Sequence, residues 1–210
     1  MTGDHINKFL FNGTLPVLFE AGRVALPLFL FVLAYNLARP GTLERGVYSR
    51  VIKRLALFGV IASLPFITLS STNAIWPLNI LFTLLVVTTT VYCIEVGEPF
   101  YLIAAAAVFL VGGALVEYWW PAIAFGVAVW CEIKQPSWIT AATVVLACTS
   151  LWFINHNLWA TAALGIIALA PHANLKVPRL RWVFYAYYPA HLAVLLLIRI
   201  PMGKVGYLFF

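Results

Sequence analysis

Eight apolar runs, each near the length of a bilayer-crossing helix, follow one another between residues 15 and 199. They cover 15–38, 53–69, 76–94, 99–116, 118–132, 137–154, 157–171 and 182–199. A hydrocarbon core about 30 Å thick asks for roughly 20 apolar residues per helix. Lipid also offers no partners to an irregular backbone, so helices are the economical way across. The pattern predicts an all-α fold, a polytopic transmembrane helix bundle of about eight spans. A soluble fold is excluded by composition: the chain is 63% apolar and 10% charged, against about 45–50% and 25% in ordinary soluble domains.

The joins between runs have turn and breaker chemistry: Ser70-Ser71-Thr72-Asn73, Gly97-Glu98-Pro99, Gln135-Pro136-Ser137 and Asn155-His156-Asn157. Such tight joins favour antiparallel neighbours in one bundle. With no linker, low-complexity segment or repeat, residues 1–210 read as a single domain. Most of the basic residues behind the formal charge of +6 sit in three breaks, unlike the basic face of a nucleic-acid binder. Arg39, Arg45, Arg50, Lys53 and Arg54 fill the first, Lys134 the second, and Lys176, Arg179 and Arg181 the third. With eight spans all three fall on one side, which the positive-inside rule makes cytoplasmic. The lipid bilayer is therefore the expected surroundings of the chain. Cys93, Cys131 and Cys148 are scattered along apolar runs, with no CxxC motif and no metal-ligand spacing. Walker, dinucleotide, HExxH and GxSxG patterns do not occur.

Ionisable residues at membrane depth are costly, which makes each a functional candidate. Asp4 and His5 are adjacent, so on a helix they point about 100° apart. Either His5 is a general base with a carboxylate nearby to hold its tautomer, or both belong to a polar terminus wetted by the interface. Arg23 precedes Pro27, which has no N–H and frees the Arg23 carbonyl. It could bind an anion or pair locally with Glu20. Arg50, Lys53 and Arg54 share a helix face and suit either lipid phosphates or the phosphates of a nucleotide-like donor. Tyr188 and His191 stand at i and i+3 beside Pro189, either as a polar site or as part of an aromatic packing stripe. Asn79 reads as helix–helix glue or a site residue. Glu117 and Tyr118 mark a span boundary. His156 and His172 fall in expected loops and receive no role.

At these residues the chain resembles the TraX family, which includes the acetylase of F-type conjugative pilin. Five stretches carry the likeness, in the family's order: Met1-Thr2-Gly3-Asp4-His5-Ile6, Gly22-Arg23-Val24-Ala25-Leu26-Pro27-Leu28-Phe29, Arg54-Leu55-Ala56-Leu57-Phe58 with Pro65-Phe66, Leu78-Asn79-Ile80-Leu81-Phe82-Thr83, and Phe184-Tyr185-Ala186-Tyr187-Tyr188-Pro189-Ala190-His191-Leu192. Glu117-Tyr118 resembles a weaker acidic–Tyr position. The family also looks distantly similar to membrane acyltransferases that O-acylate sugars. The resemblance implies an acetyltransferase with acetyl-CoA as cosubstrate and a membrane pilin subunit as partner, acetylated on its amino terminus. By the same resemblance His5 is the acid/base and Asp4 its orienter. Arg23 and Arg54, with Arg50 and Asn79, are expected at the acyl-CoA or oxyanion, and Tyr188 and His191 form a second wall. Ser63 departs from the family, which often has Gln or Glu there. The family also has a longer apolar run before Asp-His, so the expectation is an upstream start or a first half-helix.

Two other classes fit parts of the sequence. A non-catalytic assembly factor that binds pilin by helix packing would show small-residue interfaces, as Gly112-Gly113 and Ala104 to Ala107 allow, and no cavity. A small-solute transporter would show paired repeats, of which Pro27 and Pro189 are a faint echo. The acetyltransferase predicts instead that buried His and Arg face one cavity that opens toward the cytoplasm.

Overall fold

A computed structural model describes residues 1–70, 75–172 and 182–209. Ser71, Thr72 and Asn73 of one expected turn, and Lys176, Arg179 and Arg181 of one basic break, lie outside the described residues. The described chain is helical: α1 (Thr2–Leu10), α2 (Pro16–Arg23), α3 (Ala25–Leu37), α4 (Val47–Leu69), α5 (Ile80–Val96), α6 (Pro99–Leu115), α7 (Trp119–Lys134), α8 (Trp138–Ser150), α9 (Trp152–Asn155), α10 (Ala162–Leu169) and α11 (Val183–Lys204).

Each of the eight apolar runs becomes helix, but their lengths are unequal. Four are long and apolar enough to cross a membrane: Pro16–Leu37, Val47–Leu69, Trp138–Asn155 and Val183–Lys204. The runs at Ile80–Val96, Pro99–Leu115 and Trp159–Leu169 are shorter apolar helices. Only 17–33% of the four long windows is buried inside the protein. Leu64, Phe100, Ile103, Leu146 and Leu197 point outward and exposed. Apolar surface of this extent belongs against lipid.

Local chemistry sets the breaks. The run 15–38 is divided at Val24, between α2 and α3, where Pro27 has no N–H to give the Arg23 carbonyl. Asn79 caps α5, its Oδ1 accepting from the Leu81 N–H at 3.1 Å while Nδ2 donates to the Gly59 carbonyl at 2.9 Å and to Ser63 Oγ at 3.1 Å. Ser137 and Thr140 form a reciprocal capping box at the start of α8. α4 lies against α5 and α11, α7 against α3 and α8, and α5 against α6. Leu30, Leu37, Leu55, Val87, Ile123 and Phe125 fill the centre with no exposure. Gly126 allows α7 its approach to α5, since a Cβ there would meet Val87 Cγ1 at 2.7 Å.

The connections leading into α5 and α7 are tied to each other. Leu78 pairs with Val116 in a single parallel bridge. The Leu78 N–H donates to Leu115 O at 2.8 Å and the Glu117 N–H to Leu78 O at 2.9 Å. Thr83 Oγ1 donates to the Glu117 carbonyl at 2.8 Å. Tyr118 and Trp119 come next, with φ of 62° and 44°, a left-handed backbone that non-glycine residues rarely adopt and that costs about 1–3 kcal/mol where held. Strain of this kind concentrates at functional sites.

Candidate active site

α1 is short and two-sided, and the buried face carries Asp4, Asn7, Phe9 and Leu10. Asn7 holds the turn at the end of this helix: its carbonyl accepts from Gly13 N–H at 2.9 Å and its Oδ1 from Leu15 N–H at 2.7 Å. That turn folds α2 back along α1. Gly22 is what lets them meet, because a Cβ at that position would lie 2.4 Å from Asp4 Cβ.

The close approach delivers Asp4 to Arg23, whose Nη2 donates to the Asp4 carboxylate in a buried ion pair. Arg23 Nη1 donates to the Tyr118 hydroxyl at 2.9 Å and to Asn155 Oδ1 at 3.3 Å, and Nε to the Phe19 carbonyl at 3.2 Å. The guanidinium also stacks over the Phe19 ring at 4.3 Å. Arg23 therefore joins α1, the 117–119 connection and the end of α9. Its partner is Asp4, not the nearby Glu20.

His5 lies one residue on and meets a different element. Its Nδ1 stands 2.7 Å from Nε2 of His191 on α11, and the two rings are within 4° of parallel. The far nitrogen of His191, Nδ1, is 3.0 Å from the Tyr187 carbonyl. A carbonyl only accepts, so this nitrogen carries the proton and donates. Nε2 of the neutral ring is then an acceptor, and Nδ1–H of His5 donates to it. The proton pattern leaves Nε2 of His5 as the basic nitrogen. Burial first, then the nearby Lys8 and Arg23 cations, hold His5 well below its ordinary value, so it stays neutral. His191, rather than Asp4, fixes the tautomer of His5.

Asp4, His5 and Arg23 open on a cavity of about 690 Å³, with Glu117, Tyr118 and Tyr188 in its wall. That volume lies within the range of small-molecule sites. Tyr188 sets its ring edge-on to both histidines, at 6.0 Å from His5 and 5.3 Å from His191. Its hydroxyl is fully buried and makes no hydrogen bond among the described residues. Behind Tyr188 lies a second, apolar cavity of about 200 Å³, bounded by Leu81, Leu84, Phe184 and Tyr187. The two share Met1, Phe29, Ile80 and Tyr188. The larger cavity is lined by Pro77, by Glu117 to Trp119 and by Phe153, Ile154 and His156. These residues border breaks that carry no Lys or Arg.

Of the residues singled out in the sequence, Asp4, His5, Arg23, Tyr188 and His191 come together here. Arg50, Arg54 and Asn79 do not line the cavity. Arg50 is exposed. Arg54 stacks on Trp182 at 4.5 Å and lies 5.8 Å from the Tyr185 ring. Asn79 is spent on the α5 cap and the α4 contact, with the departing residue Ser63 as one of its partners. Asn155 and Gly22 are the site's unexpected members, and His156, without a role in sequence, lines the cavity. Among the described residues no three His, Cys, Asp or Glu groups converge as metal ligands do.

A family model described as TraX protein matches residues 1–199. No curated protein and no solved structure matches the chain.

Proposed function

The chain belongs to the TraX family, and from that premise we propose that it is a membrane acyltransferase. In this reading it moves an acetyl group from acetyl-CoA to the amino terminus of a pilin subunit in the inner membrane during conjugative pilus maturation. The observation that carries it is the His5–His191 pair: a neutral imidazole with its tautomer set by a chain of hydrogen bonds and its basic nitrogen, without a partner among the described residues, beside a cavity.

The chemistry suits the geometry. An amino terminus has a pKa of about 7.7–8.0, so a neutral imidazole can take its proton near physiological pH. The free amine attacks the thioester carbon, and the cation at Arg23 and the hydroxyl of Tyr188 lie in the same wall to meet the developing oxyanion. The protonated imidazole then returns its proton to the leaving thiolate, and the nitrogen's second surplus proton is lost to water as the amide forms. By the positive-inside rule the cavity faces away from the cytoplasm. We assign the donor's phosphates to Arg50 and Arg54, at the basic start of α4, with the acyl group reaching Tyr188 through the apolar cavity.

The test is incubation of the detergent-purified protein with acetyl-CoA and a processed pilin peptide, read by intact mass. A gain of one acetyl group on the amino terminus supports the reading. Folded protein that neither modifies the peptide nor releases free CoA contradicts it.

A further inference from the structure

The steps above leave Glu117 unassigned, and its surroundings are unusual. The cavity's other carboxylate, Asp4, is matched by Arg23, whereas Glu117 makes no ion pair among the described residues. Lys8 and Arg23 act on it from beyond ion-pair distance. Burial pushes it up to about 7, so near neutral pH it is a carboxylate only half stabilised. Its backbone is pinned by the Leu78 pairing and the Thr83 hydrogen bond, so the side chain is held in the wall by structure on both sides. The Tyr188 hydroxyl, 2% exposed as a residue and without a partner among the described residues, belongs to the same wall.

Resting on the acyl-transfer reading, we propose that Glu117 and the Tyr188 hydroxyl form, with Nε2 of His5, a subsite that binds the acceptor as a protonated primary amine. An ammonium has three N–H donors, and the wall offers three acceptors: the Glu117 carboxylate, the Tyr188 oxygen and His5 Nε2. The Tyr188 proton stays free for the acyl carbonyl oxygen. An arriving cation draws Glu117 into its ionised form, which satisfies both charges at once. A hydroxyl acceptor offers no such charge, so the subsite favours amines over alcohols.

The proton count closes. One ammonium proton passes to His5 Nε2, and the amine forms the C–N bond to the thioester carbon. A second proton leaves the nitrogen for the Glu117 carboxylate as the tetrahedral centre forms. The C–S bond breaks, the thiolate takes the proton from His5, and Glu117 gives its proton to water. The products are one amide, one thiol and one released proton.

The experiment is calorimetric titration of the full chain in detergent, without donor, using an apolar peptide with a free amino terminus and its N-acetylated twin. Wild-type protein is expected to prefer the free amine roughly 10- to 100-fold, as for a charge-assisted hydrogen bond. Glu117→Gln should abolish the preference, Tyr188→Phe should reduce it, and Glu117→Asp should retain it and so control for folding. If Glu117→Gln keeps the wild-type preference, or if wild type does not discriminate, the subsite is overturned. Acetyl transfer by wild type, measured separately, then shows whether the wider reading still stands. A preference that Glu117→Gln removes, in a protein that transfers no acetyl group, would uphold the subsite and defeat the reading instead.

Discussion

His5 Nδ1 and His191 Nε2 meet at 2.7 Å although 186 positions separate them in the chain. The contact ties the first helix to the last and passes the Tyr187 carbonyl's demand for a donor through two rings to the cavity. Removing the acceptor nitrogen while keeping an aromatic ring should therefore disturb protonation more than packing. His191→Phe is expected to lower acetyl transfer by about 10²-fold, at the lower end of acid–base effects. The measurement is free-CoA release over a range of pH. A structural role alone would lower the rate equally at every pH; a tautomer role would also move the acid limb.

Asp4 and Arg23 are buried together, with side chains 12% and 10% exposed. Breaking a buried pair strands a charge and costs about 3–5 kcal/mol, whereas removing both charges costs much less. Asp4→Asn and Arg23→Gln should each lower the melting temperature in detergent sharply. The double variant should melt above either single one. Independent, additive losses would contradict the pairing.

Legibility in the sequence differs from residue to residue. The apolar runs and their breaks identify the helices, because length and hydropathy are local properties. The rule that ionisable groups at membrane depth need a reason picks out Asp4, His5 and Arg23, which line one cavity, and His191, which bonds to His5. Local spacing misassigns their partners: Glu20 is near Arg23 in sequence, yet the turn built by Asn7 and Gly13 brings Asp4 there instead. Asn155 is hidden because Asn-His-Asn reads as a turn, and its partner Arg23 lies 132 positions away. Arg54 and Asn79, grouped with the site by family likeness, lie outside the larger cavity, the first stacked on Trp182 and the second in a helix cap. Helix length is less legible than helix position: at 76–94 the helix is shorter than its apolar run, because Leu78 pairs with Val116 and α5 starts late.

Gly22 owes its place to Asp4. Gly22→Ala introduces a Cβ that would sit 2.4 Å from Asp4 Cβ, too close without moving α1. Alanine is ordinarily the better helix former by about 1 kcal/mol, so a surface glycine would gain from the change. Here the variant is expected to lose stability and acetyl transfer together. Unchanged activity would show that α1 can shift without disturbing His5.

Glu117 yields a prediction with a definite sign. Its value is raised to about 7 by burial, so between its unfolded value and 7 the folded state holds more protons than the unfolded one. Stability falls as pH rises through that window, and the loss is complete above 7. It amounts to about 3 kcal/mol at most. Glu117→Gln, which cannot ionise, should melt above wild type at alkaline pH, and the gap should close at acidic pH, near the ordinary carboxylate value of about 4. The check is a pair of thermal melts in detergent at the two pH values.

The role of His5 is tested most directly by the acetyl-transfer rate of His5→Ala beside wild type, both confirmed folded by gel filtration in the same detergent. The expected loss is about 10²- to 10⁴-fold, the usual worth of a general base. The wild-type acid limb is expected below the ordinary imidazole range, since burial holds His5 neutral. Folded His5→Ala protein that acetylates the peptide at the wild-type rate would contradict a general base at this position, and with it the proposed chemistry.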